Sequence, residues 1–208
     1  KLFRLALKKN KVNENFIQFI DIRDRKVVNF LLTKMSKYID VIIPRGGKNL
    51  VKKLNNLFRI PVIGHLEGLC HTYVDEDANL EMAKKITLNA KLRNTAICGA
   101  TETILIHKKI IKKFCNPILS NLETSGCKIV GDKRIKKYYK GKITPATEND
   151  WSKEYLSSTV SVKCVDNIDE AIKHINKYGT MHTDSILTQN LTKAKKFLKE
   201  VKSSIAMH

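Results

Sequence analysis

Short apolar stretches and longer amphipathic segments alternate along most of this chain. The short stretches are rich in Val, Ile and Thr, as strands are, whereas the longer segments repeat apolar residues at helical spacing. The pattern predicts strands over residues 16–21, 40–44, 61–64, 71–74, 102–107, 128–130, 160–165 and 184–188. It predicts helices over residues 25–37, 48–58, 77–92, 109–122, 168–178 and 191–199. This alternation indicates an α/β fold with mainly parallel sheets.

Two polar stretches interrupt the alternation. Residues 133–142 are basic and residues 144–153 are polar, so we expect both to form a surface excursion.

The chain begins with Lys1 instead of Met, and residues 205–208 read as a strand with no turn after it. We therefore expect the chain to be part of a longer polypeptide.

Composition narrows the class of protein. The 208 residues are 42% hydrophobic and 28% charged, which suits a packed core and excludes general disorder. Apolar runs such as residues 41–43 are far shorter than the roughly 20 residues that cross a bilayer. The first ten residues lack the uninterrupted apolar region of a signal peptide. We expect no membrane partner and a cytoplasmic location.

The chain is strongly basic, with a net charge of +19. Such an excess is typical of proteins that bind polyanions such as nucleic acids. The cations are mostly Lys, however, and they are spread over almost every segment without a concentrated face of Arg and aromatic residues. We expect no nucleic-acid partner, and a basic nucleic-acid-binding module stays as an alternative.

The cysteines indicate neither disulfides nor a zinc cluster. They are odd in number, widely spaced and without a CxxC pair: Cys70, Cys98, Cys115, Cys127 and Cys164. Residues 65–71 hold two His, one Glu and one Cys, but alternation in a strand turns Cys70 away from the other three. No second cluster completes a site, so no metal is expected.

Two segments contain residues suited to catalysis or ligand binding. Residues 42–48 lie at a predicted strand-to-helix junction, where glycines allow close approach and the helix N-terminus offers N–H groups to an anion. A tight βα turn is the alternative there. Cys98 lies between a predicted helix and strand among small residues, an exposure that suits a thiolate nucleophile. An inert buried thiol is the alternative. Gly179 is expected only to cap a helix.

Ordered motifs connect these segments. They are IPRGG at 43–47, IPV at 60–62, GLCHTYVD at 68–75, NAK at 89–91, Cys98 with ETIL at 102–105, PATE at 145–148 with DW at 150–151 and EYL at 154–156, and HINKYGTMHT at 174–183. In this order they resemble the gamma-glutamyl phosphate reductases, or glutamate-5-semialdehyde dehydrogenases, which are similar in fold to aldehyde dehydrogenases. The resemblance covers essentially the whole chain, but the family's enzymes are about twice as long. The chain resembles their central and later part.

The resemblance implies NADPH-dependent reduction of L-glutamate 5-phosphate (glutamyl phosphate) to glutamate 5-semialdehyde in proline biosynthesis, through a thioester on Cys98. It assigns Glu154 to the nicotinamide ribose of NADP. It assigns the cofactor's phosphates to Pro44, Arg45, Gly46, Gly47 and Lys48. Residues 1–62 would form the C-terminal part of an NADP-binding domain of Rossmann type, and residues 63–208 a catalytic domain truncated at its C-terminal end. The resemblance also implies a homo-oligomer at full length and, as a partner, the glutamate 5-kinase that makes the substrate.

The chain departs from the family pattern near the predicted nucleophile. Thr95 stands where the family usually has Pro, and Gly99 where it usually has Asn. His65 occupies the position of the deacylating glutamate of aldehyde dehydrogenases, with Glu67 close by. Because the N-terminal part of the family is missing, we expect this chain alone to be inactive. The alternative function is a catalytically degenerate aldehyde dehydrogenase-fold fragment that acts as a partner or structural subunit.

Overall fold

A computed structural model describes residues 1–24, 26–44, 60–64 and 67–208. The chain divides into two compact units, Lys1–Leu66 and Glu67–His208. The helix predicted over 48–58 lies outside the described residues. Across the ranges that are described, no helix has both the length and the apolar character needed to cross a membrane.

The regular elements in the described part of the first unit are helices. Its elements are α1 (Leu2–Lys9), a 3-10 helix (Glu14–Phe16), α2 (Lys26–Lys34) and a second 3-10 helix (Ser36–Tyr38). Helix α2 confirms the central part of the helix predicted over 25–37. The strands predicted over 40–44 and 61–64 form one isolated parallel bridge, between Ile42 and Val62.

The strand predicted over residues 16–21 is wrong. Phe16 ends a 3-10 helix, and the next residues have no regular structure. Phe16 and Phe19 are 76% and 81% exposed, so their rings pack on no neighbouring strand. A β-branched and aromatic stretch favours a strand only where another strand and a core receive it.

A seven-stranded parallel sheet is the centre of the second unit. Its strands are β1 (Cys70–Val74), β2 (Thr101–His107), β3 (Lys128–Gly131), β4 (Ile143–Pro145), β5 (Thr159–Val165), β6 (Thr183–Leu187) and β7 (Ile205–Met207). They lie in the order β4-β3-β5-β2-β1-β6-β7, with every neighbouring pair parallel. The predicted α/β class is therefore confirmed.

Helices cover both faces of this sheet. They are α3 (Leu80–Leu92), α4 (Ile111–Thr124), α5 (Lys133–Tyr138), α6 (Ile168–Tyr178) and α7 (Leu191–Glu200). Val74 and Ile104 belong to the core that includes α3 and α4, whereas Tyr73 and Leu105 belong to the core that includes α6 and α7. Because successive strand residues face opposite layers, the central strands are buried on both sides.

The stretches predicted as a surface excursion, 133–142 and 144–153, are mostly exposed, but the expected interruption of the alternation is wrong because they contain α5 and part of β4. Asp132 caps α5 by accepting a hydrogen bond from the Ile135 N–H at 2.8 Å, and the Ile135 side chain is fully buried. Strand β4 then pairs with β3 at the edge of the sheet. The cap and the burial of Ile135 and Tyr139 thus support a short helix inside a basic stretch.

Caps also set the other helix boundaries. The helix predicted from residue 77 begins at Leu80, because Asn79 accepts a hydrogen bond from the Met82 N–H at 3.0 Å. At the end of α6, Gly179 is the C-cap as predicted, with its N–H donating to the Ile175 carbonyl at 2.8 Å.

Candidate active site

Cys98 lies in the loop that joins α3 to β2. Within this loop the Asn94 side chain accepts a hydrogen bond from the Ala96 N–H at 3.2 Å, which forms a local turn. Cys98 itself is half-buried, whereas the other four cysteines are buried. The structure therefore leaves Cys98 as the thiol that a reagent can reach.

The four buried thiols are held in their protonated form. Burial raises the pKa of Cys70 and of Cys115 to about 12. It raises the pKa of Cys127 and of Cys164 to about 11. Because the thiolate is the nucleophile, these four side chains are unreactive near neutral pH.

The backbone of Cys98 rests directly against the start of β1. A Cβ atom at Gly68 would overlap with the carbonyl of Cys98, so glycine is required for this close approach. The Cys70 thiol donates a hydrogen bond to the same carbonyl at 3.1 Å. Two residues of the GLCH motif thus fix the main chain of the candidate nucleophile.

Side chains from two distant loops hold the entry to β1. The Gly68 N–H donates to Glu154 Oε1 at 2.8 Å, and the Leu69 N–H donates to Thr180 Oγ1 at 2.9 Å. Since Gly68 also touches Cys98, the structure brings Glu154 and Cys98 to the same place through one glycine. Glu154 is half-buried, and its Oε2 atom takes no hydrogen bond from the residues that the structure describes.

A buried ion pair lies beside this loop. Lys91 Nζ is 2.6 Å from Glu102 Oε2, and both side chains are completely inaccessible to solvent. The sequence analysis included these two residues only as members of the NAK and ETIL motifs and did not predict their ion pair. The available signal was two opposite charges on either side of Cys98, at positions 91 and 102.

Two buried histidines form a second polar cluster. His71 Nδ1 is 2.8 Å from Asp184 Oδ1, and Asp184 also accepts a hydrogen bond from Ser203. Lys163 Nζ is 3.3 Å from His174 Nδ1. Burial, with the nearby charge of Lys163, lowers the pKa of His174 to about 2, so this ring stays neutral. The sequence analysis did not identify this cluster.

One group of metal-ligand type occurs among the described residues. Asp75, Glu76 and His107 bring their ligand atoms within 4.8 Å of one another. Lys193 already contacts Asp75 at 3.3 Å and Glu76 at 2.7 Å, and Lys109 contacts Glu76 at 2.6 Å. These ammonium groups hold the pKa of Glu76 near 2. The group is an ion-pair network.

The other predicted site residues are distributed over both units. Pro44 is a half-buried residue of the first unit, whereas 45–48 and His65 lie outside the described residues. Glu67 is half-buried at the start of the second unit. The cofactor assignment of residues 44–48 therefore stays a prediction.

Relatives were found by sequence. No family model matches the chain. A gamma-glutamyl phosphate reductase of Rhizobium etli is 45% identical over 203 residues, which cover 98% of this chain and 47% of that protein. The chain thus spans about half the length of the curated relatives it matches.

Solved structures agree with the sequence relatives. The crystal structure of gamma-glutamyl phosphate reductase from Thermotoga maritima superposes with a TM-score of 0.88 at 37% identity, covering 98% of this chain and 49% of that one. An engineered glycolyl-CoA reductase with bound NADP⁺ gives a TM-score of 0.73 at 17% identity, covering 98% of this chain and 54% of that one, which shows a shared fold. Together with the resemblance in motifs, these matches show that the chain belongs to the gamma-glutamyl phosphate reductase family.

Proposed function

We propose that this chain supplies the nucleophile-bearing part of an enzyme that reduces L-glutamate 5-phosphate to glutamate 5-semialdehyde in proline biosynthesis. The observation that carries the proposal is the half-buried Cys98, whose backbone is fixed by Gly68 and Cys70 while the other thiols are buried. The names of the relatives supply the substrate.

Cys98 performs the covalent step. Its sulfur attacks the acyl carbon of the glutamyl phosphate, the carbon–sulfur bond forms, and the bond to the phosphate oxygen breaks so that phosphate leaves. When bound, NADPH supplies the hydride that reduces the thioester, which releases the aldehyde and the Cys98 thiolate. Because hydride resolves the acyl-enzyme, the site has little need of a base that activates water. The presence of His65 where aldehyde dehydrogenases have their deacylating glutamate agrees with this mechanism.

Glu154 fits a role on the cofactor's ribose. Its Oε1 atom is fixed by the Gly68 N–H, so the carboxylate is oriented before any ligand arrives. Its Oε2 atom takes no hydrogen bond from the described part of the chain and has the lone pairs to accept one from a ribose hydroxyl. The NADP⁺ bound by the structurally similar glycolyl-CoA reductase supports a nicotinamide dinucleotide as ligand.

The phosphates of NADP are assigned to the turn at Pro44, Arg45, Gly46, Gly47 and Lys48. The support is chemical: two cations and two glycines precede a predicted helix N-terminus, a combination that suits an anion. We accordingly propose that residues 1–62 belong to the cofactor domain and residues 63–208 to the catalytic domain.

The test is a fusion in which this chain replaces the matching 203 residues of the Rhizobium etli relative. The fusion is expected to catalyse phosphate-dependent oxidation of the semialdehyde with NADP⁺, and Cys98→Ser is expected to abolish that turnover while cofactor binding persists. Cys164→Ser is the matched control, since that thiol is buried in β5. Substantial turnover by the Cys98→Ser fusion would refute the thioester mechanism.

A degenerate partner subunit is the second candidate, and Gly99 favours it. Among the described residues, no atom lies within 4 Å of a Cβ atom built at Gly99, so the position of the family's usual Asn has no contact there. If this contact is essential, the fusion is inactive and Gly99→Asn restores turnover. Activity of the unmodified fusion would exclude the degenerate function.

A further inference from the structure

The buried Lys91–Glu102 pair closes the loop that carries Cys98. Lys91 is in the last turn of α3 and Glu102 is near the start of β2, so the 2.6 Å contact joins the two ends of the connection. Both side chains are fully inaccessible to solvent. The contact therefore fixes where the loop leaves the helix and where it enters the sheet.

The same carboxylate also holds the segment that carries Glu154. While Glu102 Oε2 contacts Lys91, Glu102 Oε1 accepts a hydrogen bond from the Leu156 N–H at 3.2 Å. Leu156 has a φ of 49°, a left-handed conformation that is unfavourable for leucine and needs support. Lys91 Nζ additionally lies 6.0 Å from the centre of the Tyr155 ring. The two residues after Glu154 are thus in contact with the ion pair.

These contacts form a closed path around the site. Glu154 accepts the hydrogen bond from Gly68, and Gly68 lies against the Cys98 backbone. The path therefore runs from Cys98 to Gly68, to Glu154 and its neighbour Leu156, and through Glu102 back to the Cys98 loop. Every link is a hydrogen bond, a direct backbone contact or a short length of chain.

Stability alone does not account for such a pair. Removing two charges from water is costly, and well-packed apolar residues of similar size often give equal or greater stability. The desolvation is reflected in Glu102, whose pKa is raised by burial despite the neighbouring Lys91. What apolar residues could not supply is a carboxylate that contacts an ammonium group and accepts from a backbone N–H at the same time.

We infer that the Lys91–Glu102 ion pair is a positioning element that sets Cys98 and Glu154 relative to each other. The inference rests on the proposed function, because that function gives Cys98 and Glu154 their roles. Lys91 positions Cys98 by closing its loop, and Glu102 positions Glu154 through the Leu156 N–H. Neither residue is assigned a contact with substrate.

Two double variants of the full chain separate these roles. Lys91→Met with Glu102→Gln removes both charges but keeps a side-chain oxygen for the Leu156 N–H. Lys91→Met with Glu102→Leu removes both charges and that acceptor. Ile118→Ala, which truncates a fully buried residue of α4, is the control for general loss of stability. The measurements are the alkylation rate of Cys98 under limiting iodoacetamide and amide hydrogen exchange at Gly68.

Both double variants are expected to alkylate Cys98 about tenfold faster than the wild type, because loss of the ion pair frees the ends of the loop. Exchange at Gly68 is expected to rise about tenfold only in the Leu variant, because only there is the support of Leu156 and Glu154 lost. Ile118→Ala should change neither rate relative to amides elsewhere in the sheet.

Wild-type alkylation in the Gln variant would refute the role of the pair in positioning Cys98. Equal Gly68 exchange in the two double variants would refute the role of Glu102 in positioning Glu154. Failure of both double variants to fold would also overturn the inference, since the pair would then be a requirement of stability. None of these measurements depends on turnover, so failure of the proposed function in the fusion assay is recognised separately.

Discussion

Replacing Gly68 by Ala tests how tightly the candidate nucleophile is held. The added Cβ atom would overlap with the carbonyl of Cys98, and the contact is with backbone, which cannot rotate away as a side chain can. Gly99→Ala is a matched control on the other side of Cys98. Its Cβ atom would have no neighbour within 4 Å in the part of the chain that the structure describes, and Gly99 is not in the left-handed region.

The expected effects have opposite signs. Forcing a methyl group into a packed contact costs about 1–3 kcal/mol, and the rigid backbone partner places Gly68→Ala near the upper end. A loss of about 3 kcal/mol lowers the melting temperature of a chain of this size by roughly 6–12 °C. Gly99→Ala should be neutral or stabilising by about 0.4–1 kcal/mol, because alanine reduces the freedom of the unfolded chain.

Thermal unfolding followed by tryptophan fluorescence measures both variants. Trp151 is the sole tryptophan of the chain and is buried in the second unit, so its emission reports on the unit that contains Gly68. Gly68→Ala should also change the rate at which iodoacetamide modifies Cys98. A melting temperature unchanged by Gly68→Ala, or lowered equally by Gly99→Ala, would show that the close approach is not as described.

Three further results are expected. Limiting iodoacetamide followed by peptide mapping should label Cys98 first, and preferential labelling of any buried cysteine would contradict its assignment. Because His174 has a pKa of about 2 when folded and 6.5 as its ordinary value, its contribution to stability is complete above pH 6.5 and falls as the pH drops, by up to about 1.4 kcal/mol per pH unit. In urea unfolding, His174→Gln should therefore show a shallower loss of stability between pH 6.5 and 4.5, and an identical slope would contradict the neutral ring. Duplex DNA should bind weakly and be released steeply by salt in gel shifts, whereas tight, sequence-dependent binding at physiological salt would support the nucleic-acid-binding alternative.

Outside α5 and β4, hydrophobic periodicity predicted the second unit well, because these strands and helices pair and pack with one another. The helix over Ile168–Tyr178 coincides with its prediction, since its apolar face and its Asn167 cap agree. In the first unit the same kind of pattern predicted a strand over 16–21, for which the described residues provide no partner strand. Pairing is non-local, and a local pattern cannot supply it.

The candidate site was likewise predictable from the sequence only in part. Loop position and small neighbours, which are local properties, made Cys98 a candidate beside the alternative of an inert thiol, and the family resemblance then assigned it the role of nucleophile. The contacts of Gly68 with Cys98 and of Glu154 with Gly68 join residues far apart in sequence, so no spacing rule could give them. Motif resemblance identified these residues without their geometry. It included Lys91 in the NAK motif and Glu102 in the ETIL motif, but it did not indicate that the two side chains form an ion pair.

The sheet order has a consequence for synthesis of the chain on the ribosome. Strand β1 lies between β2 and β6, and His71 of β1 is 113 positions before Asp184, its partner in β6. At about 5–20 residues per second, translation of that interval takes roughly 6–23 s. During this time β1 has one unpaired edge that can template pairing with another nascent chain. Thr180, which holds the strand entry beside Cys98, emerges at the end of the same interval. The nucleophile's surroundings are thus completed late, and a slow codon cluster before residue 180 would lengthen the period in which this edge of β1 is unpaired.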